Sequence, residues 1–477
     1  MITRLAALLL LSTAIPAFAG QAPGRADVPD IAISKSDRFY TSDQFSNTVS
    51  VIDPSQNKLL GVIKLGEPTP ANLSPLYRGQ VLVHGMGFSP DHKTLAVISI
   101  GSNSVSFIDT ETNAVKHTAY VGRSPHEAFF RPDGKEVWVS IRGEDYIQVL
   151  DGENFAPTTR IKVPNGPGMT IFSPDGRYGY VCSSFSPETV VIDTGTKKIV
   201  GSMKQDSPFC PDIAATPDGA QVWLTLKDIG KTMVFNAKPP FQSLKVLDTG
   251  PITNHVNIVR NGKEQFAYVT VGGLNLIKVF RTDGFEQVAS IPVGALPHGL
   301  WPSGDGTRVY VGLENADAAA VIDTASNKVI ETIPLGQAPQ GVAYVPNAVT
   351  KGDGMANLQP LSAAAGSTQL SLASADGKGA TQVTLFNQGL VQMLQAAVTG
   401  LEPKQPYVLA LAASATGDGV VQPLAAFMSN PAGAAIVNAV GPIRQVVSEV
   451  AAIQRRYLVI VEGMADKPGK PVQIQKP

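Results

Sequence analysis

Residues 296–336, LPHGLWPSGDGTRVYVGLENADAAAVIDTASNKVIETIPLG, decide the fold. They read as four short strands separated by turns. His298 to Trp301 is apolar and stops at Gly304-Asp305-Gly306, and Arg308 to Leu313 alternates around Val309 and Val311. Ala319 to Asp323 closes on Val-Ile-Asp, and Lys328 to Pro334 runs into Gly336. Short runs of this kind, bounded by Gly, Pro, Asn and Asp, are what antiparallel hairpins require.

Much of the preceding chain repeats this pattern. The ends of the third strands align at Asp53, Asp109, Asp151, Asp193, Asn236, Arg281 and Asp323, at intervals of 56, 42, 42, 43, 45 and 42 residues. A period in the low forties with four strands per unit predicts a β-propeller, and seven anchors predict seven blades. An insertion at Glu67 to Gln80 accounts for the long first interval.

The recurring residues have mechanical roles. Asp53, Asp109, Asp193 and Asp323 can accept N–H bonds in the turn that starts the fourth strand. Pro132-Asp133-Gly134, Pro174-Asp175-Gly176 and Pro217-Asp218-Gly219 join strands one and two. Tyr40, Trp138, Tyr180, Trp223, Tyr268 and Tyr310 share one position in the second strand, where a ring fills the gap between blades. The repeat begins in phase with a second strand, so the innermost strand of blade one must come from Gln340 to Val345. Closing the ring this way removes free sheet edges.

The chain has 477 residues, enough for this ring and a further domain. With 38 Lys and Arg against 39 Asp and Glu, it has no broad attraction for polyanions, which speaks against nucleic-acid binding. Residues 1–19 read as a signal peptide: Arg4, an apolar run from Leu5 to Ile15, and Ala17-Phe18-Ala19 before Gly20. No later segment is long and apolar enough to cross a bilayer as a helix. The expected location is periplasmic or secreted.

The repeat resembles the exported YVTN-type β-propeller family, whose tetrapeptide stands here as Tyr268-Val269-Thr270-Val271. The Val-Ile-Asp turns and Ser173 to Gly176 match it too, and the likeness spans residues 37–346. It implies the fold more than an activity, since members include surface-layer proteins and nucleic-acid-binding periplasmic proteins. Lactonase propellers and the haem- and copper-dependent nitrogen-oxide reductase propellers are more distant relatives.

The ordered chain is therefore expected as an all-β, seven-bladed propeller at 20–346, a linker at 347–366 and a small Ig-like β-sandwich at 367–477. Strand-like runs at Thr368–Leu372, Gln382–Phe386, Tyr407–Leu411 and Tyr457–Val461 mark the last of these, with Arg444 to Arg456 open to a helical reading. Its expected role is docking to a partner or an envelope component.

Four of the six histidines, His84, His126, His255 and His298, fall where innermost strands start, at one mouth of the channel. Three of them stand seven residues before a turn Asp (Asp91, Asp133, Asp305), whereas His255 belongs to a blade with a shifted turn. Gly168, Pro211 and Gln340 hold the corresponding positions in the other blades. Imidazoles converging on one opening can hold a transition metal or an anionic ligand. Copying of one His-Gly loop motif along the repeat is the structural alternative.

Glu127, Arg142, Lys227 and Glu314 belong to the same face, and Tyr77 and Arg78 of the insertion can overhang it. Cys182 and Cys210, the only cysteines, fall at that mouth in adjacent blades, and export favours their pairing as a disulfide. There is no Cys-x-x-Cys-His for covalent haem, no His-Glu-x-x-His and no Gly-x-Ser-x-Gly. The leading expectation is a binding protein for a small ligand, a metal or a protein partner. The alternatives are a lactonase-like or metal-assisted hydrolase at the same mouth, and nucleic-acid binding.

Overall fold

A computed structural model describes residues 30–66, 81–262, 264–361, 366–377, 379–388, 391–448 and 455–476. Seven four-stranded antiparallel sheets follow one another in chain order and form the propeller. Blade one is Pro339–Val345, Arg38–Asp43, Thr48–Asp53 and Lys58–Lys64, from the axis outward. Its innermost strand comes from the far end of the repeat, as the phase requires, with Tyr344 opposite Phe39 and Val342 opposite Thr41. The other innermost strands are Val83–Phe88, Pro125–Phe130, Pro167–Phe172, Ile213–Ala215, Thr253–Asn261 and Pro297–Pro302, in blades two to seven.

Burial falls from the axis outward. The innermost strands of blades two, three, four and seven are buried at every position, whereas outer strands such as Val115–Tyr120 bury one residue in six. The third strands end at the seven anchor residues, and Asp53, Asp109, Asp193 and Asp323 each accept the N–H of Ser55, Thr112, Thr196 and Ser326. The second-strand aromatics act as bolts between blades. Tyr180 donates to Ala237 O of blade five at 2.6 Å, Tyr268 to Asn327 Oδ1 of blade seven at 2.7 Å, and Tyr310 to Pro54 O of blade one at 3.2 Å.

Beyond Val345 the chain does not simply hang free. Residues 347–361 run as a strap over blades one and two. Val349 N–H donates to Ser36 O, Asn113 Nδ2 to Gly354 O, and Gln359 bridges Val62 of the outer strand. The strap lies close against the outer strand of blade one: Gly61, beside Gln359, has no room for a Cβ.

The C-terminal β domain is one eight-stranded antiparallel sheet. Its order is Val420–Met428, Pro406–Ala412, Tyr457–Met464, Lys467–Gln475, Ser367–Ala373, Ala380–Gln388, Val391–Val398, Ala435–Gly441. The two end strands are consecutive in the chain, and the sheet curls until it nearly closes around Leu385, Leu394, Leu409 and Ile460. Among the described residues of this domain one short helix, Ile443–Val447, overlaps the start of the stretch left open to a helical reading. No helix among the described residues is long and apolar enough to cross a membrane.

This domain sits on the propeller. Phe386 packs against Phe45 with ring centroids 4.8 Å apart. Ala397 and Ala434 share a buried cluster with Ile252 and Leu296. Thr384 Oγ1 donates to Asn315 O at 2.9 Å, and Ala432 N–H to Asp228 O. Phe45, Asp228, Ile252, Leu296 and Asn315 all belong to loops at the histidine-bearing mouth, so the C-terminal domain roofs it.

Candidate functional site

The histidines are placed by a device that recurs with the repeat. In five of the seven blades the residue two before the inner-strand position is left-handed: Leu82, Ser124, Gly166, Leu296 and Ala338, with φ from 47° to 77°. Such a turn exposes an N–H, and a side chain from the preceding blade accepts it. Asn47 takes the N–H of Leu82, Asn103 that of Ser124, Asn275 that of Leu296, and Asp317 that of Ala338, at 2.8–3.0 Å. These acceptors are themselves left-handed, a conformation that Asn and Asp tolerate better than most residues. His84, His126 and His298 follow two residues later. His255 comes three after its own left-handed residue, Ile252, across a register shift between Thr253 and Val256.

All four histidines line one chamber of about 480 Å³ between the mouth and the roof. The His84 and His126 ring centroids are 4.4 Å apart, His84 and His298 6.2 Å, and His255 and His298 4.5 Å. Met428, Asn430 and Ile436 line the roof side. Below, Met86, Phe129, Met169, Leu300 and Trp301 fill the channel and leave a void of about 30 Å³, room for a single water. The chamber therefore has a floor.

Burial pushes the imidazole pKa values down, to about 3 for His84 and His255 and well below the usual range for His126 and His298. Arg142 adds to the effect at His84, and Lys227 at His255. The rings are neutral. His126 donates from Nδ1 to Gly168 O at 2.9 Å, and His298 from Nδ1 to Gln340 O at 3.3 Å, each reaching the equivalent residue of the next blade. That bond selects the tautomer with Nε2 as the acceptor, the form that ligates a metal. His84 Nδ1 and His255 Nε2 are buried without a hydrogen-bond partner.

Glu127 follows His126 yet shares its site, because the strand shifts register between Pro125 and Ala128. One ligand atom from each of His84, His126 and Glu127 lies within 4.8 Å of the others. Burial, then the neighbouring Asp212, raises the Glu127 pKa well above the carboxylate range. Asp212, raised by burial to about 8, accepts the Val256 N–H at 2.8 Å and stands 3.5 Å from His255 Nδ1. Glu314 lies 3.9 Å from His298 Nε2 and its pKa is also raised by burial.

Arg142, Lys227 and Glu314 follow the second strands of blades three, five and seven and line the chamber. Tyr77 and Arg78 lie outside the described residues. Cys182 and Cys210 form a disulfide with Cα atoms 5.9 Å apart, tying blade four to the loop that enters blade five. Sequence reasoning missed Asp212 and the roof residues. Asp212 carried a signal, since it follows Pro211 as Glu127 follows His126. The roof carried none.

The model of the YNCE-like beta-propeller family matches residues 78–349. The chain belongs to that family. The match covers six blades and the closing strand, and leaves the C-terminal domain outside. No curated protein matches. Among solved structures, a functionally unknown protein from Desulfotomaculum acetoxidans is similar at 15% identity and a TM-score of 0.54, over 65% of this chain and 98% of its own. Hydrazine synthase from Kuenenia stuttgartiensis aligns at 18% identity and 0.47, over 63% of this chain and 94% of its own. The dihydro-heme d1 dehydrogenase NirN, in complex with DHE, aligns at 11% and 0.48, over 86% and 78%. At these identities the likeness speaks for the fold alone.

Proposed function

We propose that this family member is an exported binding protein that holds one transition-metal ion among the mouth imidazoles, under the roof of the C-terminal domain. The observation that carries the reading is the tautomer lock: His126 and His298 each tie Nδ1–H to a carbonyl of the next blade, at 2.9 and 3.3 Å, beside two imidazoles with unpartnered nitrogens. Metal-ligating histidines are oriented by a bond of this kind. His84, His126 and Glu127 form the core of the ligand set. Imidazole with one carboxylate suits zinc, copper, iron or nickel, and three protein ligands leave a coordination position towards the chamber. A bound cation also offsets the cost of an ionised Glu127, which burial otherwise disfavours. The buried disulfide supports the export reading, because such bonds persist in oxidising compartments.

The test is elemental analysis of full-length protein purified without a histidine tag. Wild type is expected to carry close to one transition-metal ion per chain, and the folded His84→Ala/His126→Ala variant to carry almost none. Metal-free wild type that takes up no zinc or copper on titration refutes the reading.

A further inference from the structure

The mouth is chemically lopsided. Imidazoles stand on blades two, three, six and seven, whereas the inner-strand positions of blades four and five are Gly168 and Pro211. On that side two cations take their place. Arg142 follows the second strand of blade three, and Lys227 that of blade five. Both line the chamber, and both lie within 6 Å of the Phe209 ring centroid, Arg142 at 5.5 Å and Lys227 at 5.8 Å.

Among the described residues neither cation has a carboxylate within 4.0 Å, although ten Lys or Arg contacts with carboxylates occur elsewhere. The Lys227 N–H donates to Phe209 O, but neither charged side chain makes a hydrogen bond among the described residues. Glu314 and Asp228 share the chamber and attract Lys227, without reaching it. Burial lowers the pKa of both cations, Lys227 and Arg142. Two half-buried cations that face a roofed chamber with no counter-charge in contact favour a ligand that supplies the charge. The arrangement does not serve packing alone, since a roofed chamber of about 480 Å³ lies open beside them.

We propose that this side of the chamber binds a small oxyanion, a carboxylate or a phosphate, with Arg142 and Lys227 as its counter-charges. A guanidinium presents paired N–H donors to two oxygens of one such group, and an ammonium supplies a compact charge to a third. The Phe209 ring gives both cations one apolar neighbour in common. The inference rests on the chamber of the proposed function and not on its metal, so the two can fail separately.

The experiment is isothermal titration of chelator-treated full-length protein with oxalate and, separately, with inorganic phosphate, using neutral oxamide as the control. At least one anion binds with a Kd of millimolar or tighter and oxamide does not; which of the two binds tells carboxylate from phosphate. Arg142→Gln and Lys227→Gln each weaken binding tenfold or more, the charge-retaining Lys227→Arg keeps most of it, and Lys245→Gln on an exposed outer strand leaves it unchanged. Absence of binding by both anions in the folded protein overturns the proposal, as does an unchanged Kd in both Gln variants. Anion binding in a chain that takes up no metal sinks the metal reading and leaves this one standing. Metal uptake without anion binding does the reverse.

Discussion

Replacing Cys182 and Cys210 together by alanine gives a stability loss that can be worked from the fold. The bridge joins residues 28 apart, both fully buried, one on the second strand of blade four and one in the loop before Pro211 and Asp212. Cross-linking removes loop-closure entropy from the unfolded chain, and a loop of this length corresponds to about 3–4 kcal/mol at room temperature. At roughly 2 cal/mol/K of unfolding entropy per residue, a propeller of about 310 residues converts that loss into a Tm lower by about 5–6 °C. The assay is differential scanning calorimetry of wild type and double variant without reductant, with wild type plus reductant as a third arm. Both perturbed samples are expected to melt together, below wild type. A double variant that melts within about 1 °C of wild type refutes the reasoning, as does a count of two free thiols in the unfolded, unreduced wild type.

Three further outcomes follow from the same structure. Deleting residues 340–346 removes the strand that pairs with Arg38–Asp43, so the truncated protein loses the cooperative melt of the closed ring; an unchanged calorimetric profile contradicts the closure. Asp43 is fully buried, accepts hydroxyls from Thr41, Thr48 and Ser50, and has its pKa raised by burial to about 7. The folded state then holds a proton that the unfolded state releases near pH 4, so stability declines as pH rises from about 4 to 7, by up to roughly 4 kcal/mol. Asp43→Asn is expected to flatten that slope in urea titrations across the range, and a slope equal to wild type tells against it. Phe386→Ala empties the contact with Phe45 and weakens domain docking by about 3–5 kcal/mol. Limited proteolysis should cut the 347–366 stretch faster in this variant, and equal rates would show that the roof is held elsewhere.

What could be read from the chain follows from what repeats. The anchors Asp53 to Asp323 recur because every blade needs the same turn after its third strand, and His84, His126 and His298 are visible because each stands seven residues before the turn Asp that follows its own strand, Asp91, Asp133 and Asp305. The acceptors Asn47 and Asn103 recur at the same 56-residue interval as Asp53 and Asp109, and Asn275 and Asp317 at 42, so the device that places the histidines was legible too. The roof was not. Its contacts come from Phe45, Ile252 and Leu296 on one side and Phe386, Ala397 and Ala434 on the other, single apolar residues in loops and strands with no shared spacing. The 347–361 strap read as a linker because its bonds run mainly through backbone carbonyls such as Gly354 O and Ala356 O, which no side-chain pattern reveals. Glu127 escaped the alternation rule through a local register shift, which brings its carboxylate within ligand distance of His126.

The central claim is that imidazoles from different blades share one ion beneath the roof. Anomalous diffraction from crystals of the untagged protein grown with zinc or copper addresses it directly. The account predicts one strong peak in the chamber, about 2.0–2.2 Å from nitrogens of His84 and His126 and from an oxygen of Glu127. Peaks confined to the outer surface, with the four imidazoles metal-free around ordered water, would contradict it.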